Sequence, residues 1–340
     1  MVPFAYRAFR QSARQTLTAA QKPHGLTALH TGITVSFGLA ITALQFALQR
    51  GIAGTGGLGG IDRRTFLEFL ESLLFWANVI LLPFWCMGFL STALGISRRQ
   101  TVSRSSLLDG FRHWGTVLRT SIWRGFVCFL ALFFGGQLGS TLFLVTPAAQ
   151  ELLQLTQELT DSGITESAAL MAHPDFQAAA LPMLPWVAVC ALALAIPIFY
   201  RTRFMSHVAM DQPERGGFYA LIRSIQMTRR RFWALVVLDL RFFWYYVPMA
   251  LALALSLAPG LLPMLGVELP MSGGEALFTF AAASAVLRLA LAAWLKPDVA
   301  VTYCLIFDHI KENPVPVAPK VPRTPVPGKP PKPQSVPWNY

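Results

Sequence analysis

Apolar positions in this chain fall in long runs, set apart by clusters of basic or acidic residues. Six of the runs approach the ~20 residues that an α-helix needs to cross ~30 Å of hydrocarbon. They lie at about Leu26–Leu48, Leu73–Leu94 (with Pro83 inside), Gly125–Val145 and Leu181–Tyr200, within Phe232–Ala258, and from near Leu277 onward. Residues 1–24 follow another pattern, with Arg7, Arg10, Arg14 and Lys22 interleaved with Phe4, Phe9, Ala13 and Leu17 at near-helical spacing. That spacing predicts a basic amphipathic helix on the membrane surface rather than a cleaved leader. In "PAAQELLQLTQELTDSG", Pro147 suits a helix start and Gly163 a stop, with Leu152, Leu155 and Leu159 as a partial stripe.

The predicted fold is all-α: a polytopic transmembrane bundle of about six spans over residues 25–310, with cytoplasmic amphipathic interfacial helices. Beyond it, Glu312–Tyr340 holds ten prolines and few large apolar residues. Residues 311–340 are therefore predicted as a disordered, proline-rich basic tail. Its P-x-x-P spacings offer a cytoplasmic protein partner a docking sequence, or the tail is a solvated tether near anionic lipid.

Composition agrees with a membrane protein. Of 340 residues 54% are hydrophobic and only 13% charged, with mean hydropathy +0.48, whereas soluble domains carry about 25% charged residues. A net charge of +11 would suggest nucleic acid in a soluble protein; here its distribution points to lipid instead. Arginines fill the segments after spans two and four, and lysines the tail. Residues 147–180 contain five acids and no Lys or Arg, and residues 259–276 two acids and none. Only the first loop, with Arg50, Arg63 and Arg64 against Asp62, breaks the rule. The positive-inside bias then predicts both termini in the cytoplasm, with the bilayer and its anionic headgroups as the first partners.

The stretch "RRRFWALVVLDLRFFWYY" poses the main question. Phe232–Ala258 is 27 residues, roughly 40 Å of helix, too long for the hydrocarbon unless part lies outside. A twenty-residue span ending at Ala258 begins at Asp239, and the aromatic run 242–246 suits the headgroup level. Gly217–Leu240 then reads as one interfacial helix, with Phe218, Ile222, Ile225, Phe232 and Val236 on its apolar face. Arg229, Arg230, Arg231, Arg241, Trp244 and Tyr245 become the interfacial anchors. Arg288, within span six, needs a partner at that depth, and Asp239 on the same half is the candidate for an interhelical ion pair.

Other motifs carry less. "GTGGLGG" matches G-x-G-x-x-G but follows an apolar helix, where a dinucleotide fold needs a strand. Gly135 and Gly139 form a G-x-x-x-G suited to close helix packing. Glu68 and Glu71 sit near Arg63 and Arg64 and read as a solvated helix start. The four cysteines, Cys86, Cys128, Cys190 and Cys304, share no metal or disulfide spacing, and no cofactor or metal site is expected. No clustered acid, base or nucleophile suggests an enzyme.

"IPIFYRTRFMSHVAMDQPERGGFYALIRSIQMTRRRFWALVVLDLRFFWYY" resembles the central signature of a bacterial membrane family known as domain of unknown function 975. Pro197, Tyr200, Asp211, Pro213, Ser224, Phe232, Leu238, Asp239, Leu240, Phe242 and Trp244 fill its places; "SLLDGFRHWGTVL" and "ARQTL" look like further segments. The family's basic turn has Gly and Lys where this chain has "TRRR", and position 241 is Arg instead of a small polar residue. The resemblance implies a six-helix architecture in a bacterial plasma membrane and no reaction. Two roles follow: a non-catalytic protein of envelope organisation or the membrane partner of another protein, or a small-solute or lipid transporter using Asp239 and Arg288.

Overall fold

Long apolar runs have nowhere to satisfy their backbone polar groups in lipid except within helices, and the computed structural model is helical accordingly. It describes residues 6–20, 23–49, 63–164, 173–262 and 273–313, with no strand among them. Five stretches are long and apolar enough to cross a membrane. They are built on α2 (Pro23–Gln49), α3 (Arg63–Ser97), α5 (Trp114–Phe143), α8 (Met183–Arg201, continued by α9, Met205–Asp211) and α13 (Gly273–Glu312). A sixth arises if α11 (Phe232–Arg241) and α12 (Phe243–Leu261), bent by 68° at Phe242, count as one span. The bend separates "FWALVVLDLR" from the apolar helix that follows and falls at the aromatic run.

The spanning part is loosely covered. Large apolar side chains such as Trp76, Phe129, Val189 and Val286 point outward, as lipid contact requires. Its closest internal approach is between α5 and α8. A Cβ on Gly135 would lie 2.5 Å from the Cα of Ala191, and one on Gly139 2.6 Å from the Trp186 carbonyl oxygen. The G-x-x-x-G is thus used within the molecule. At the acidic end, α6 (Pro147–Asp161) starts on Pro147 and stops before Gly163, whose φ is +98°; α7 (Pro174–Ala180) follows it.

The dense core lies at the opposite, basic end. There α1 (Tyr6–Ala19), the end of α3, α9, α10 (Gly216–Thr228), α11 and the second half of α13 enclose Phe204, Met205, Leu235, Leu238, Phe242, Ile306 and Phe307. The helix α1 is amphipathic as predicted, but its inner face packs on protein. Ala13, Thr16 and Leu17 are buried, and Phe9 meets the ring of His309 at 5.3 Å; Phe4 lies outside the described residues, as do "GTGGLGG" and residues 314–340, while Lys311 and Glu312, expected in the disordered tail, continue α13. The short helix α4 (Asp109–Arg112) and the 3-10 turn before it fold back on α3. Cβ atoms on Gly88 and Gly110 would reach the carbonyl oxygens of Leu107 and Phe84.

The expected single helix 217–240 is instead two. Between α10 and α11 the chain turns at Arg229–Arg231, with Arg230 in the left-handed region at φ +64°. The turn lets α10 bury Ala220, Leu221, Ser224 and Met227 on one side and α11 bury Leu235 and Leu238. The apolar stripe Phe218, Ile222 and Ile225 stays exposed, as a face against lipid would.

Gly139→Val should cost about 1–3 kcal/mol through overpacking, measured by thermal unfolding in detergent. Gly136→Ala, whose Cβ would meet its nearest neighbour only at 3.9 Å, should leave stability unchanged. Arg230→Gly should raise stability by up to about 1 kcal/mol by removing the left-handed penalty, and Arg230→Val should lower it.

Candidate functional site at the basic end

The carboxylate of Asp239, near the end of α11, is caged. Its Oδ1 accepts hydrogen bonds from Arg203 Nη2 at 2.8 Å, from the Tyr246 hydroxyl at 3.5 Å and from the Tyr303 hydroxyl. The Arg203 guanidinium also lies 4.4 Å over the Tyr303 ring. Only 14% of the Arg203 side chain and 15% of the Asp239 side chain are exposed. Arg203 reaches this position from the corner between α8 and α9. Ser224 holds that corner, donating to the Arg201 carbonyl at 2.8 Å and accepting from the Phe204 amide at 3.2 Å.

A second knot joins three chain segments. Arg98, just past α3, donates to Asp211 at 2.8 Å and to Asp308 at 2.6 Å, and Lys311 adds a bond to Asp211 at 2.8 Å. The hydrogen bond to Asp308, against the cost of burial and with help from Asp211, holds the Arg98 guanidinium above its ordinary pKa. A third joins α1 to α13: Asp298 Oδ2 takes Arg10 Nε at 3.1 Å and Arg14 Nε at 3.5 Å. Residues that follow spans two, four and six in sequence therefore meet at one end of the bundle, as the charge pattern predicts.

The proposed partner of Asp239 is displaced. Tyr303, which touches Asp239, lies fifteen residues beyond Arg288 on the same helix, a rise of about 22 Å. Arg288 therefore belongs to another level of the bundle, and its Nε is buried without a hydrogen-bond partner among the described residues. Arg203 wins because the α8–α9 corner and the α11–α12 bend are brought side by side. Sequence reading missed Arg203, Tyr303 and Asp298. The one local hint was the charged "KPD" at 296–298, which ends the apolar run of span six.

The anchors divide into two groups. Arg229 and Arg230 are exposed, while Arg231 donates to the Asn313 carbonyl. Arg241 lies 5.5 Å over the Tyr6 ring, and the Trp244 indole donates to the Tyr6 hydroxyl at 3.4 Å. Tyr245 packs edgewise on Tyr246 at 5.2 Å. Deeper in the bundle, Lys296 Nζ meets His30 Nδ1 at 3.2 Å and lies 4.6 Å over Phe89. Glu68 and Glu71 part company, to Arg64 and Gln45.

Between α1 and the α11–α12 bend lies a cavity of about 1010 Å³, lined by Arg7, Arg10, Arg14, Arg241, Phe243 and Trp244 among others. A second cavity, of about 630 Å³, shares Arg10, Arg14 and Trp244 and extends to Trp294 and Asp298. Chemically the basic end does two things: it ties helices through aspartates, and it leaves a cationic, aromatic groove open. Comparison with protein-family models, curated proteins and solved structures gives no match.

Arg203→Gln and Asp239→Asn should each cost about 2–4 kcal/mol, because each strands a largely buried charge or its donors. Arg288→Leu should be neutral or stabilising. Chemical or thermal unfolding of the three variants in detergent separates the observed pair from the expected one.

Proposed function

We propose that this is a non-catalytic multi-pass protein of the bacterial plasma membrane, with both termini in the cytoplasm. Its basic layer rests on the inner leaflet and serves envelope organisation as the membrane partner of another protein. The observation that carries the reading is the use of charge at the basic end. Asp211, Asp239, Asp298 and Asp308 are each tied to Arg or Lys of another segment of the chain, while Arg229 and Arg230 face outward. A layer cross-tied in this way is a rigid surface, and its outward arginines suit anionic lipid and an acidic partner.

The alternative, a transporter for a small solute or lipid, was built on Asp239 and Arg288. Their separation leaves it without a central pair, and Asp239 is enclosed by Arg203 and tyrosines.

Single cysteines in a version lacking the four native ones should report the arrangement. With a membrane-impermeant thiol reagent, position 230 should label only from the cytoplasmic side and position 162 only from outside, with position 239 resistant. A photo-crosslinker at position 230 in cells should give a discrete protein adduct. Labelling of 230 from outside would reverse the orientation, and solute flux in proteoliposomes that Asp239→Asn abolishes would restore the transporter.

A further inference from the structure

The groove beside α1 has a composition that the helix ties do not require. Arg7, Arg10 and Arg14 recur at spacings of three and four, so α1 presents them along one side. That side is held against the α11–α12 bend, because the Tyr6 hydroxyl bonds the Arg241 carbonyl and the Trp244 indole, each at 3.4 Å. Beside these contacts, between α1 and the 68° bend, lies the cavity of about 1010 Å³.

Among the described residues, four guanidiniums line that cavity and no carboxylate does. The adjoining cavity contains one acid, Asp298, which is engaged by Arg10 and Arg14 through Nε in both cases. Asp298 thus orients the two forks without occupying their terminal nitrogens, the geometry in which arginine takes phosphate oxygens. Arg10 is steadied further by the Trp244 ring, 4.4 Å from its guanidinium carbon.

The rim is aromatic and faces outward, with Phe243 65% and Trp294 74% exposed. Both lie where apolar helix meets the basic layer: α12 is apolar from Val247 onward, and α13 is apolar just before Trp294. Aromatic side chains at that level contact the headgroup boundary. A free phosphate would use the arginines and leave this rim idle, whereas a phospholipid uses both.

We infer that the groove between α1, the α11–α12 bend and α13 is a binding site for one anionic phospholipid, its phosphate held by Arg7, Arg10, Arg14 and Arg241. Its acyl chains leave past Phe243 and Trp294. The site rests on the reading of the basic layer as lying on a membrane surface. Accessibility labelling tests that reading separately, since position 230 can label on the wrong side while selective lipid retention still stands.

The test is native mass spectrometry of the purified full chain in detergent, titrated with phosphatidylglycerol or with phosphatidylcholine of the same chains. The wild type should retain one phosphatidylglycerol with a preference of at least about tenfold. Arg7→Gln with Arg241→Gln should abolish the preference, and Arg7→Gln alone, which removes only an exposed side chain, should reduce it if the double variant folds poorly. Arg229→Gln with Arg230→Gln should keep it, as these arginines lie outside the groove. Equal retention of both lipids by the wild type would overturn the proposal. So would equal loss in the two double variants, which marks a diffuse basic surface. Displacement of the bound lipid by millimolar inorganic phosphate alone would reassign the groove to free phosphate and overturn the lipid.

Discussion

The stretch of α13 over residues 299–307 is buried or half-buried throughout, and the basic layer is assembled around it. Three polar ties leave this post at residues 298, 303 and 308, to α1, to Asp239 of α11 and to Arg98 beyond α3. Steps of five residues turn a helix by about 140°, so the three ties leave in three directions around one axis. Between them Cys304, Ile306, Phe307 and Ile310 fill the interior. A helix that is apolar all round packs without a preferred rotation, and spaced polar contacts supply one. Buried ion pairs add little net stability over well-packed apolar side chains, but losing one partner is costly. Their work here is to fix which helix faces which.

This layer contrasts with the spanning part, where large side chains turn outward and close contact depends on Gly135 and Gly139. Lipid tails are as apolar as leucine, so spanning helices gain little by burying each other's side chains, and small residues allow backbones to approach. In water the hydrophobic effect acts fully. A core concentrated at one end, beyond the apolar belts, fits a bundle whose basic end projects out of the hydrocarbon.

The 68° bend at Phe242 links the structural role of this layer to its binding role. It places Asp239 beside Arg203 on the inner side, and on the outer side it sets Arg241, Phe243 and Trp244 along the groove beside α1. The same residues that suggested a charged site therefore serve two purposes. Asp239 locks the corner, and Arg241 lines an open groove. Arg288, at another level of α13, takes part in neither.

By itself the sequence determined the apolar spans, the segregation of basic and acidic segments to opposite ends, the Pro147–Gly163 helix and the small-residue contact of α5. These follow from local, additive properties: apolar length against bilayer thickness, charge against hydrocarbon, and the absence of a Cβ. Only the tertiary structure decided that Asp239 pairs with Arg203 rather than Arg288, and that the chain breaks at Arg230. It alone decided that Asp298 orients Arg10 and Arg14, and that α1 packs on protein while leaving a groove. The chain has many arginines of equal chemistry, and nothing local distinguishes the one that packing brings within 3 Å. Arg230 likewise carries no glycine signal, because its left-handed turn is imposed by the burial of the helices on either side.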